Sequence, residues 1–151
     1  MTIISELGDL RRFPHPRKLM AFLGLVPGEH ISGGKRRQGS ITKCGNSHAR
    51  WMLVECAQHY RRAPKVSKQL TTRQIGQSKE VKNLSWHMQN RLSKRYKCLR
   101  ARGIMDSKCI VAIARELSGF IWEMQNKCNL PMPESEDQGS TRGYAPQTRA
   151  N

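Results

Sequence analysis

The sequence predicts a mainly α-helical fold, and three observations predict it. Apolar residues recur at three-and-four spacing in long stretches, glycines and prolines fall at the ends of those stretches, and one glycine-dense segment breaks every helical period. The chain has 151 residues, enough for one domain. It reads as a small helical domain over residues 1–130, with one irregular Gly-rich basic loop and a polar linker or insertion over 64–83 within it. A disordered tail follows over residues 131–151.

In chain order, Thr2 to Leu7 reads as the end of a helix closed by Gly8. Pro16 suits a first helical turn, Leu19, Phe22 and Leu23 share one face, and Gly24 is the stop. From Leu25 to Gly45 the glycines, with Pro27, predict a loop with room for a short hairpin around Gln38 to Thr42. Asn46 or Ser47 caps the next helix, in which Ala49, Met52, Leu53, Cys56, Ala57 and Tyr60 repeat at helical spacing until Pro64. The polar stretch from Pro64 to Asn83 separates it from a long helix at about Leu84 to Arg102, with Leu84, Met88, Leu92, Tyr96 and Leu99 as its stripe and Gly103 as its stop. Asp106 or Ser107 then caps the core helix, where Ile110, Ile113, Ala114, Leu117, Ile121 and Met124 line one side. After Leu130 the chain turns acidic and then Gly/Ser/Pro-rich, with too little apolar area to offset its ordering entropy.

Charge gives the first functional direction. With 27 Lys+Arg against 11 Asp+Glu the formal net charge is +16, a surplus that repels itself in a compact state and suits a polyanionic partner, nucleic acid by default. The hydrophobic fraction is 37% with 6% aromatics, which predicts a small core. No apolar run approaches the roughly 20 residues of a membrane span, and the first residues lack the basic and apolar regions of a signal peptide, so no membrane partner is expected. Cys44, Cys56, Cys98, Cys109 and Cys128 form an odd set without a C-x-x-C pair, read as reduced thiols of a cytoplasmic protein.

Several enzymatic readings fail on spacing. Gly28 to Arg36 misses the phosphate-loop pattern, because Gly34 stands where lysine belongs and no Ser or Thr follows Lys35. Asp9, Glu29, Glu55, Asp106 and Glu116 are too scattered to predict a metal site, and zinc would need two close ligand pairs that Cys44, His48, Cys56 and His59 only loosely approximate. What remains is Ser32, followed by two glycines and the cations Lys35, Arg36 and Arg37. Taken alone, Ser beside Gly is ordinary turn chemistry. A serine hydroxyl attacks phosphorus only where it is positioned, the nonbridging oxygens are neutralised and its proton has somewhere to go. A second basic surface lies on the long helix, where Arg91, Lys94, Arg95, Lys97, Arg100 and Arg102 run without an acid among them.

The order of blocks carries a resemblance. Gly24-Leu-Val-Pro27, Ser32-Gly-Gly-Lys-Arg-Arg-Gln-Gly39, Ile41-Thr-Lys-Cys-Gly-Asn46, Ala49-Arg50 and Leu53-Val-Glu-Cys-Ala57 are followed by Trp86-His-Met-Gln-Asn-Arg-Leu92, Arg95-Tyr96, Leu99-Arg-Ala-Arg-Gly103 and Val111 to Trp122. Over about residues 3 to 125 this resembles the C-terminal transposase domain of the insertion-sequence one-hundred-ten and eleven-eleven transposases. The resemblance implies DNA transposition by a serine nucleophile, working with a RuvC-like N-terminal domain whose Asp and Glu residues hold a divalent metal, Mg. It also implies DNA as partner, a guide (bridge) RNA that pairs with target and donor, and a homo-oligomer of the full-length protein. By position in its motif Ser32 matches the nucleophile, with Lys35, Arg36 and Arg37 as phosphate contacts and Lys43, Asn46 and Arg50 as supports. Arg91, Lys94 and Arg95 are the expected backbone contacts of the basic helix.

Nothing before Met1 corresponds to the RuvC-like domain, so the chain is expected to be an N-terminally truncated or separately started fragment. It is expected to hold no cofactor of its own, the metal being implied only for that other domain, and to bind nucleic acid without cutting it. The alternative reading is a non-catalytic nucleic-acid-binding module whose basic helix tracks the backbone.

Overall fold

The most apolar helix of the sequence becomes the hub of the structure. A computed structural model of the chain describes residues 3–32 and 35–127. The tail expected over 131–151 and Cys128 lie outside the described residues. The elements run α1 (Ile3–Leu7), a 3₁₀ turn (Leu10–Arg12), α2 (Pro16–Phe22), β1 (Pro27–Ser32), β2 (Lys35–Ile41), α3 (Ser47–Gln58), a second 3₁₀ turn (His59–Arg61), α4 (Lys68–Arg73), α5 (Lys79–Ala101) and α6 (Asp106–Lys127). The fold is therefore mainly helical with one small two-stranded sheet. Among the described residues no helix is long and apolar enough to cross a membrane.

Helix α6 packs against α3, α5, α2 and the first 3₁₀ turn. Its Ile110, Ile113, Ala114, Leu117 and Phe120 meet Leu19, Leu23 and Leu25 from around α2, Ala49, Leu53 and Ala57 from α3, and Leu92 from α5, all buried in one cluster. Leu7 and Leu10 close it. The expected face of α6 is thus the core face, and Trp122 adds a polar tie by donating its indole N–H to the carbonyl of Phe13 at 2.8 Å. Ser93 makes another: its buried hydroxyl donates to the carbonyl of Arg62 at 2.9 Å and fixes α5 to the end of the second 3₁₀ turn.

Helix ends follow local chemistry. Pro16 sits in the first turn of α2, and Leu25 N–H to Met20 O with Gly24 N–H to Ala21 O forms the six-to-one and five-to-two pair of a Schellman close. Ile104 N–H to Leu99 O and Gly103 N–H to Arg100 O repeat that pair after α5. Asn46 caps α3, its Oδ1 accepting from Ala49 N–H at 2.9 Å.

Three expectations change. Phe22 does not share the buried face of Leu19 and Leu23; it is 40% exposed and lies against Phe13, with the Arg12 guanidinium over both rings. A helix as short as α2 presents a narrow buried stripe, and the aromatic ring falls beyond it. The polar stretch 64–83 carries α4 and the start of α5, because Ser67 and Ser78 each accept a bond from the N–H three residues on. The expected helix start at Leu84 therefore moves back to Lys79. Finally, the segment read as a loop with a small hairpin at Gln38–Thr42 is a longer antiparallel hairpin of β1 and β2. Ser32 pairs with Lys35 at one end of this ladder and Pro27 with Ile41 at the other.

Candidate nucleic-acid interface

The hairpin places the Ser-Gly motif by backbone pairing alone. Ser32 stands opposite Lys35, Ile31 opposite Arg36, and His30 opposite Arg37, with a register shift between Pro27 and Glu29. Pro27, which has no N–H to give to a ladder, begins its strand, where proline is tolerated. The side chains of Ser32, Lys35, Arg36 and Arg37 lie outside the described residues; the register fixes only where along the ladder each one stands.

The base of the hairpin is locked to the helical body. Thr42 N–H donates to Val26 O at 2.9 Å and Lys43 N–H to Gly24 O at 3.1 Å. Two glycines make this approach possible. Gly24 has φ +64°, and a Cβ there would stand 2.2 Å from the carbonyl oxygen of Cys44; Gly45 has φ +85°, and a Cβ there would stand 1.8 Å from the carbonyl oxygen of Phe22. Arg50 reaches across the same crossing and donates from Nη1 to Leu23 O at 3.0 Å and to Cys44 O at 3.4 Å. Arg50 and the capping Asn46, both expected as supports, are hydrogen-bonded to backbone groups here. Lys43 is exposed and takes a left-handed conformation, φ 57°, at the edge of this crossing.

A further tie was not legible in the sequence. Glu6 of α1 accepts from Asn46 Nδ2 at 3.4 Å and pairs with His48 Nδ1 at 3.0 Å, joining α1 to the first turn of α3. The His48 and Asn46 hydrogen bonds, helped by the His48 charge, hold the Glu6 carboxyl below its ordinary value of 4.5. A lowered folded-state pKa contributes stability above the ordinary value and loses it as pH falls through the lowered one. Urea midpoints of Glu6→Gln and the parent are therefore expected to differ at pH 6 and converge toward pH 3, with the parent more stable at the higher pH; a gap unchanged by acid would contradict the pairing.

The second basic surface lies between α5 and α6. There Arg91, Lys94, Arg95 and Arg102 line a groove of about 470 Å³ with His87, Asn90, Cys98, Leu99 and Glu116. The helix has no acid among these cations, but α6 supplies one: Glu116 pairs with Arg91 and, at 2.9 Å, with Arg95 Nε. Lys94 is exposed beside them. Four cations against one carboxylate leave the groove electropositive. Asp106, expected as a cap, instead gathers neighbours at the start of α6: it pairs with Arg61, accepts from Tyr96 at 2.5 Å and has Arg100 at 4.0 Å.

Burial, with Cys56 nearby, pushes the Tyr60 phenol up to about 12, and the hydrogen bond to Asp106 raises Tyr96. Cys44, Cys56 and Cys98 are exposed free thiols, while Cys109 is buried and donates from Sγ to Ile104 O at 3.5 Å. The expected residues therefore fall into two sets on different elements. Ser32, Lys35, Arg36, Arg37, Lys43, Asn46 and Arg50 belong to the hairpin and its base, and Arg91, Lys94 and Arg95 to the α5 groove.

Comparison with known proteins finds relatives over most of the chain. Residues 1–72 match the model of the Transposase IS116/IS110/IS902 family. The y4qE protein of Sinorhizobium fredii, whose assigned name is that of a transposase, is 45% identical over 122 residues, covering 81% of this chain and 31% of the relative. The transposase for insertion sequence element IS1111A of Coxiella burnetii is 28% identical over 127 residues, 82% of this chain and 28% of that protein. The transposase for insertion sequence element IS1328 of Yersinia enterocolitica is 36% identical over 58 residues, 38% and 17% of the two chains. The chain spans less than a third of the length of each of these relatives. No solved structure matches it. With the family model lying over the hairpin and α3, and the likeness to y4qE extending over four-fifths of the chain, the chain carries a transposase domain of the IS116/IS110/IS902 family.

Proposed function

We propose that this chain is the strand-attacking part of a transposase, with the hairpin delivering Ser32 to a DNA phosphodiester. The observation that carries this reading is the register that sets Ser32 opposite Lys35 at the end of the ladder, on a strand continuing through Arg36 and Arg37. Positions directly opposite in a ladder share a face. In this reading the cation at position 35 neutralises the phosphate that Ser32 attacks. In the reaction Ser32 Oγ bonds to phosphorus, the bond from phosphorus to a deoxyribose oxygen breaks, and the departing oxygen takes up a proton. The Oγ proton passes to a base that we assign to the RuvC-like domain implied by the family resemblance. The phosphoserine ester conserves the linkage for rejoining.

DNA is the substrate in this reading, a bridge RNA the guide, and a homo-oligomer the working form. The divalent metal belongs to the RuvC-like domain. Among the described residues no three His, Cys, Asp or Glu side chains come together to hold an ion. The test is a denaturant-resistant protein–DNA adduct, formed by the chain joined to the remaining length of its family protein and mapped to the Ser32 peptide.

The binding-module reading has its own support in the α5 groove. If about six phosphates are contacted, log affinity is expected to fall against log salt with a slope of roughly −5, at about 0.9 per contact. A salt titration of filter binding checks this, and a slope near zero would remove the polyanion from the account.

A further inference from the structure

The exposed aromatic surface of α3 has no part in the chemistry above. Trp51 is 57% exposed, and its indole lies 6.1 Å from the His48 imidazole with the ring planes only 12° apart. The pair is stacked, and Glu6 holds the imidazole in place through Nδ1 at 3.0 Å. The helical neighbours of Trp51, three and four residues away, are Ser47, His48, Val54 and Glu55. Val54 packs against the core and the other three are exposed. The indole therefore stands among polar groups, unlike the depleted-charge, apolar centre of a protein–protein interface.

The chain that leads into α3 is cationic. The strand that carries Lys35, Arg36 and Arg37 enters α3 through Thr42–Asn46, which includes the exposed Lys43. An exposed aromatic face that follows a basic track in the chain supplies the two elements that hold single strands, cations for the phosphates and a ring for the bases. In a duplex the bases are already stacked on one another, so such a face selects unpaired ones.

We propose that Trp51, with His48 stacked behind it, is a platform for an unpaired nucleobase of the strand whose phosphates the hairpin contacts. The inference rests on the phosphate-contacting role of the hairpin under the proposed function and adds to it a preference for melted strand. Stacking is indifferent to the sugar, so an oligothymidylate and an oligouridylate both serve as probes.

The test compares a labelled short oligothymidylate with a duplex of the same length, by fluorescence anisotropy at fixed low salt on the whole chain. Trp51→Ala is expected to weaken single-strand binding by roughly 5- to 150-fold, the range for losing one base–aromatic stack, while duplex binding stays unchanged. Trp51→Phe is expected to restore most of the loss and Trp51→Leu little of it, which separates the ring face from apolar bulk. The oligouridylate is expected to show the same selective loss. No loss on the single strand, or equal losses on both probes, would overturn the platform and leave the hairpin reading standing. Failure of the parent chain to bind either probe in a salt-dependent way would overturn both.

Discussion

Replacing Ser32 by alanine is expected to abolish the covalent protein–DNA adduct while leaving DNA affinity nearly intact. The adduct requires an Oγ to form the phosphoester, so its loss is complete rather than graded. Affinity changes little, because the hydroxyl contributes at most one hydrogen bond, roughly 0.5–1.5 kcal/mol, against the phosphate contacts of the hairpin cations. Under the proposed function the experiment supplies the RuvC-like domain and the guide RNA assigned there, and the present chain alone is expected to yield no adduct. Gel-shifted, protease-trimmed adduct would be quantified for parent and variant in parallel. An adduct that persists in Ser32→Ala would move the role to another hydroxyl near the hairpin, and Ser40 and Thr42, both exposed, are the first to test.

The largest stability effect is expected at Leu117. It is 4% exposed on α6, on the face that meets α2, α3 and α5. Leu117→Ala removes buried methyl groups and leaves a cavity among helices that cannot all close on it, a cost of about 2–5 kcal/mol. A domain of this size has on the order of 5–15 kcal/mol of stability in all. The variant is thus expected to unfold at markedly lower urea concentration, with an unchanged slope if the unfolded state is unaffected. An unshifted midpoint would mean that α6 is not the hub.

The helices were legible because their signals are local. Pro16 and Gly24 bracket α2, Asn46 caps α3, Gly103 closes α5, and the apolar spacing of α6 predicts its buried face. The hairpin was legible only as a short one around Gln38 to Thr42, because Lys35-Arg-Arg-Gln-Gly39 offers neither alternation nor β-branched residues, and its strand form comes from pairing with Pro27–Ser32. The Ser-Gly motif was found through resemblance rather than through its geometry. Arg50 was legible as a cation but not as a clasp, since the carbonyls it serves come from two distant stretches. Likewise the basic run of α5 hid its partner, because Glu116 sits on the following helix and only tertiary packing brings it to Arg91 and Arg95.

The crossing of Gly24 and Gly45 has a consequence for how such domains can diversify. The bonds that aim the hairpin come from its foot, at Gly24, Val26, Thr42, Lys43 and Arg50. Residues 29–38 are therefore a cassette on a fixed mount. Exchanging that cassette between relatives would swap strand chemistry without altering the mount, whereas an insertion of one residue between Lys43 and Asn46 would redirect every group the cassette carries.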